Sequence, residues 1–135
     1  MMLACDWPSV APDLPRELVR SALAISGVFE LEPLRHAPFL APDLKLSAGS
    51  AGRLSPIFIR PPRGRLAALV GANESEEFLR QNEAIRTAWG AEVVSVCEAV
   101  PHHNHMSILL DIAAPGTRLQ GVAFGLLGFG ADRAA

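Results

Sequence analysis

The sequence predicts an α/β fold, a mostly parallel sheet flanked by helices, on three observations. Residues 21–29, 66–71 and 92–100 are short, apolar-rich runs of the length expected for buried strands. A segment with readable helix ends separates the second run from the third. The resulting order is strand, long excursion, strand, helix, strand, loop, helix, the pattern of parallel strands joined by crossovers.

Taken in order, residues 1–7 read like the tail of a helix without an N-cap and run into a loop holding Pro8, Pro12 and Pro15. A short helix or turn is expected at 16–20. The run SALAISGVF (21–29) is bounded by charge and carries Gly27 near its end. Residues 30–55 are irregular or weakly helical, broken by Pro33, Pro38 and Pro42, and Pro56, Pro61 and Pro62 mark a further connection. LAALVG (66–71) is the second strand. Ser75 is placed to cap the next helix, with Glu76 and Glu77 at its positive dipole end. Phe78, Asn82, Ile85 and Trp89 share one face of that helix, and Gly90 suits its C-terminal stop. After the third strand comes a loop crowded with histidine, 101–106. Residues 108–112 begin a turn or helix, Pro115-Gly116 interrupts, and 118–129 form the last helix. The G-x-x-x-G spacing of Gly121 and Gly125 predicts close helix packing there. Gly128, Gly130 and the terminal alanines are expected to fray. Three strands make a narrow sheet with an unprotected edge.

Composition narrows the function classes. The 135 residues are 50% hydrophobic and 19% charged, which suits a packed core and argues against disorder. A net charge of -2 offers no basic field for nucleic acid or acidic lipid. The longest apolar C-terminal stretch, 122–129, falls far short of the roughly 20 residues a membrane span needs. No signal peptide is expected, because Asp6 ends the first apolar run early and no basic region precedes it. Cys5 and Cys97 lie far apart without metal-type spacing and read as reduced thiols of a cytoplasmic protein; one disulfide is the alternative.

Chemistry in open α/β sheets collects beyond the carboxyl ends of the strands. Glu74 follows the second strand and His105 follows the third. That is the chain order of a hydrolase triad, acid before histidine. The carboxylate would fix the imidazole tautomer, and the imidazole would take a serine proton and return it to the leaving group. Taken singly, an acid before a helix is usually a loop or cap residue, and a loop histidine is usually solvated. His102, His103 and His105 are too tightly spaced to converge on one metal ion, so no metal site is expected. Ser50, in Ala48-Gly49-Ser50-Ala51-Gly52, nearly matches G-x-S-x-G. It lacks the buried strand that a nucleophile elbow requires.

Four segments carry a family resemblance: LAISGVFELEPL (23–34), LSP (54–56), GANESEEFLRQ (71–81) and PHHNHM (101–106). Together they resemble the arylformamidase (kynurenine formamidase)-like esterases of the α/β-hydrolase superfamily. The second pair resembles that family's acid loop, G-x-x-(D/E)-S-x-E-F-x-R-Q, and its histidine loop, P-x-x-(N/D)-H-F. The resemblance spans residues 2–127. It implies Glu74 as the triad acid and His105 as the base, with His102 and His103 as neighbours without a catalytic role. Glu74 stands where Asp is commoner, and Met106 where Phe is commoner.

The resemblance further implies a serine hydrolase acting on N-formylkynurenine or a small ester, with no cofactor, and an excursion at 30–55 that shapes the acyl or aryl pocket. MLACDW (2–7) resembles the end of the helix that follows the family's G-x-S-A-G-G elbow. The chain is therefore expected to be the C-terminal part of an α/β-hydrolase fold, without nucleophile or H-G-G-x-W oxyanion segment, and inactive alone. Two other readings stand beside it. One is a general carboxylesterase. The other is a non-catalytic module that pairs through its open sheet edge, as a homo-oligomer or with a complementing N-terminal half.

Overall fold

Three strands, β1 (Ser21–Ile25), β2 (Arg65–Gly71) and β3 (Val94–Val100), form one parallel sheet in the order β1-β2-β3 in this computed structural model, which describes residues 1–129. Five helices accompany them: α1 (Trp7–Val10), α2 (Ala41–Leu44), α3 (Ala48–Leu54), α4 (Glu76–Val93) and α5 (Arg118–Leu126). Short 3-10 turns at Met2–Ala4, Glu32–His36, Pro56–Phe58 and Ser107–Ile112 complete the order. The mixed α/β class and the parallel sheet agree with the sequence pattern.

The alternation of side chains along β2 builds two cores, because successive residues of a strand face opposite sides. Leu66 and Ala68 pack with Ile85 and Trp89 of α4, together with Leu3, Phe29 and Val94. Ala67 and Leu69 pack on the other face with Leu119 and Val122 of α5, together with Val100 and Ile108. The sheet therefore carries a helix on each face. Residues 66–71 are all buried, whereas all five residues of β1 are only half-buried. β1 and β3 are both edge strands.

Several local expectations change. β1 stops at Ile25, short of residue 29, because Ser26 turns left-handed with φ 50°. The third strand begins at Val94, two residues later than residue 92. Before it, Gly90 takes φ 76° and interrupts α4. That conformation belongs to glycine, and it lets the chain turn from helix to strand. The excursion holds a real helix, α3, opened by Ser47. The Ser47 hydroxyl accepts from the Ser50 N–H at 3.1 Å and the Ser50 hydroxyl accepts from the Ser47 N–H at 2.9 Å. This reciprocal cap occupies Ser50. α5 ends at Leu126 and not at residue 129. A Cβ built on Gly121 or Gly125 would meet nothing within 4 Å among the described residues, so that spacing serves no close helix packing among them. The expected fraying at Gly130 and the terminal alanines lies outside the described residues.

Buried polar groups tie the excursion to α4. Gln81, nearly inaccessible, accepts from the Phe29 and Glu30 N–H groups at 2.8 Å and donates to the Glu30 carbonyl at 2.9 Å. The Trp89 indole N–H is shared between the Pro56 and Ile59 carbonyls at 3.1 Å each. These bonds satisfy the Phe29 and Glu30 backbone groups and the Ile59 carbonyl, and the indole adds a second donor to the Pro56 carbonyl, which also takes the Ile59 N–H; left unpaired, such groups are costly to bury. Cys5 and Cys97 are free and half-buried. Among the described residues no helix is long and apolar enough to cross a membrane.

Candidate functional site

Parallel strands deliver their C-terminal ends to one side of the sheet, and three loops meet there. Ser26 follows β1, residues 72–74 follow β2, and the histidine loop follows β3. Backbone bonds lace them together. Ser26 N–H donates to the Leu69 carbonyl at 2.8 Å, Ala72 N–H to Val100 at 2.9 Å, and Asn73 N–H to His103 at 2.9 Å. The loops after β2 and β3 approach so closely that a Cβ on Gly71 would lie 2.4 Å from the His103 carbonyl oxygen. Only a residue without a side chain fits at that crossing.

Glu74 and His105, the two residues singled out from the sequence, meet at this crossing. His105 Nδ1 lies 2.7 Å from Glu74 Oε2. The ionised carboxylate can only accept, so the bond places a proton on Nδ1 and leaves the neutral ring's Nε2 as the free lone pair. The Glu74 side chain is wholly inaccessible (0%), while His105 is 46% exposed. The second carboxylate oxygen, Oε1, accepts from the Ser26 hydroxyl at 2.5 Å and from the Gly71 N–H at 2.8 Å. Burial pushes the Glu74 carboxyl up. The bonds from Ser26, Gly71 and His105 outweigh it and hold the group below its ordinary value.

The histidine loop is built to present that ring. Asn104 Oδ1 accepts from the Met106 N–H at 3.0 Å and the Ser107 N–H at 2.9 Å, which fixes the turn around His105. Phe78, in the first turn of α4, lies against the imidazole with ring centroids 4.5 Å apart and a 33° tilt. By spacing Phe78 shares a helix face with Asn82, Ile85 and Trp89, and that position does not reveal an imidazole partner. His103 takes another place. Its Nε2 lies 3.1 Å from Asp111 Oδ2, and its Nδ1 is buried without a partner among the described residues. His102 adopts φ 66° in an exposed turn. Ser26 carries no signal of its contact in the sequence, since its partner is 48 residues away.

Among the described residues, no group of three or more His, Cys, Asp or Glu side chains could hold a metal ion. No serine hydroxyl bonds His105 there: Ser26 serves the carboxylate and Ser107 accepts from the Asn104 N–H at 2.9 Å. Two hollows lie elsewhere. One of about 550 Å³, lined by Cys5, Arg16, Arg60 and Arg63, sits before the N-terminal ends of the strands. The other, about 430 Å³ and mainly apolar, runs beside β1. Neither is lined by Glu74 or His105; the pair is open to solvent through His105. Comparison of the chain with protein-family models, curated proteins and solved structures finds no match.

Proposed function

We propose that Glu74 and His105 are the acid and base of a serine-hydrolase centre of the esterase or arylformamidase kind. The observation that carries this reading is the 2.7 Å bond from a solvent-accessible imidazole to a fully buried carboxylate. The buried carboxylate orients the ring and stabilises the imidazolium. The free Nε2 accepts a proton from an attacking hydroxyl and returns it to the leaving alcohol or amine. An ester or formamide carbonyl is the substrate class, with N-formylkynurenine or a small ester as the specific choice. The resemblance of residues 71–81 and 101–106 to the acid and histidine loops of arylformamidase-like esterases supports that choice. No cofactor enters the scheme, and the two free thiols suit a cytoplasmic setting.

The sequence contains no G-x-S-x-G segment, and Ser50 is engaged in capping α3. The nucleophile in this scheme is therefore a serine of polypeptide outside residues 1–135, and an oxyanion hole comes with it. Without them an acid–base pair does little, because triad members act as a unit. The test pairs this chain with a polypeptide that carries a nucleophile elbow, such as the N-terminal half of an arylformamidase-like esterase. Hydrolysis of N-formylkynurenine and of short p-nitrophenyl esters is then followed. Activity that falls at least a hundredfold with His105→Ala is expected, on the order of general-base contributions. A stable pairing whose hydrolysis ignores His105→Ala refutes the reading. The ratio of the two substrates separates a formamidase from a general carboxylesterase.

The open edge of β1 and the apolar hollow beside it favour a second reading, an interaction module. Ala22, Ala24, Val28, Leu54 and Trp89 line that hollow. An uncovered strand edge beside apolar surface is a pairing template. Stable self-association without hydrolysis in the paired assay would favour this reading over the first.

A further inference from the structure

We propose that Ser26 is a positioning residue for the acid–base pair: its hydroxyl, aimed by a left-handed backbone at the end of β1, holds Glu74 in the orientation that presents Oε2 to His105. The inference rests on the hydrolase reading of Glu74 and His105 and adds a third side chain to it.

Three observations carry it. First, the carboxylate is divided between its oxygens. Oε1 takes the Ser26 hydroxyl at 2.5 Å and the Gly71 N–H at 2.8 Å, and Oε2 takes His105 at 2.7 Å. Two fixed donors on one oxygen set the rotation of the carboxylate plane and so the direction of the other oxygen. Second, Ser26 stands at φ 50°, a region that L-residues other than Asn and Asp seldom enter. Gly27 is its neighbour and could carry a left-handed turn at no steric cost. The chain places the strained conformation on the residue with a hydroxyl. Third, the Ser26 backbone needs no help from that hydroxyl, because its N–H already bonds the Leu69 carbonyl at 2.8 Å. A serine that merely terminated a strand would turn its side chain to its own backbone or to water. This one reaches across the end of β2 to a wholly buried carboxylate.

Glu at position 74 fits the same arrangement. Its carboxylate spans from Ser26 and Gly71 on one side to His105 on the other, and the shorter Asp carries its carboxylate one methylene closer to the backbone.

The test uses the chain itself and reads the pair without any hydrolysis assay. Carboxyl carbon shifts follow the Glu74 titration, and ring nitrogen shifts report which His105 nitrogen carries the proton. Ser26→Gly removes the hydroxyl and accommodates the positive φ, so the fold survives. Ser26→Ala removes the hydroxyl while keeping the backbone cost. In both variants the proton affinity of Glu74 is expected to rise about tenfold, the equivalent of one lost hydrogen bond to a charged group. The share of His105 protonated on Nδ1 is expected to fall. A Glu74 titration unchanged in Ser26→Gly, with the Nδ1–H form intact, overturns the positioning role and leaves the pair standing. A wild-type ring that carries no Nδ1 proton removes the pair, and the proposal with it.

Discussion

Glu74 combines an inaccessible side chain with three hydrogen-bond donors. Its carboxyl is buried, yet three donors hold it below its ordinary value. A carboxyl so held adds stability above its unfolded value, and the gain is lost as pH falls through the folded-state value. Glu77 and Glu98 are also held low, by Arg80 and Arg118, but both are substantially exposed and contribute less. Urea unfolding between about pH 7 and pH 3 is therefore expected to show a decline that Glu74→Gln flattens more than Glu77→Gln does. Equal flattening by the two variants would mean that burial adds nothing to the Glu74 interactions. Glu74 and His105 could be picked out in the sequence because each follows an apolar run in triad order. Ser26 and Phe78 could not. The first meets its partner only through strand pairing, and the second sits on a helix stripe whose spacing signals core.

At the scale of elements, the site depends on how closely two loops pass. Gly71 ends β2 against the His103 carbonyl, and a methyl group there would lie at 2.4 Å from backbone. Gly71→Ala is expected to force the acid and histidine loops apart and to cost about 1–3 kcal/mol in unfolding free energy, the range for overpacking a tight site. The same variant should lose the Glu74–His105 bond, visible as a change in the His105 ring nitrogens. A variant of unchanged stability would mean that the loops separate freely. Strand and helix identities were legible because β2 is continuously apolar and α4 has a distinct start and stop. Boundaries were less so. β1 ends early at Ser26 through a backbone conformation that composition does not announce. α3 was hidden because Ser47 and Ser50 cap each other within a stretch whose glycines and prolines read as loop.

At the scale of the whole molecule, β2 is shared by two cores. Ile85 belongs to the layer under α4 and Leu119 to the layer under α5, and both are wholly buried. Since Leu66 and Ala68 alternate with Ala67 and Leu69 on one strand, loss of either layer should remove the support of the other. Ile85→Ala and Leu119→Ala are each expected to cost about 2–5 kcal/mol and to shift one common unfolding transition, seen alike by circular dichroism and by the fluorescence of Trp7 and Trp89. Two separated transitions would mean that the layers fold independently. The open edge on β1 was legible as a consequence of having only three strands. The apolar hollow beside it was not, because it depends on Leu54 and Trp89 reaching the same face from distant parts of the chain.

The central claim is that a buried Glu74 fixes His105 with its proton on Nδ1 and its base, Nε2, turned outward. Ring nitrogen spectroscopy of His105, in the neutral state of the wild type and of Glu74→Ala, tests it most directly. The account predicts a dominant Nδ1–H form in the wild type that is lost in the variant. A ring protonated mainly on Nε2 in the wild type, or the same tautomer in both proteins, would contradict it.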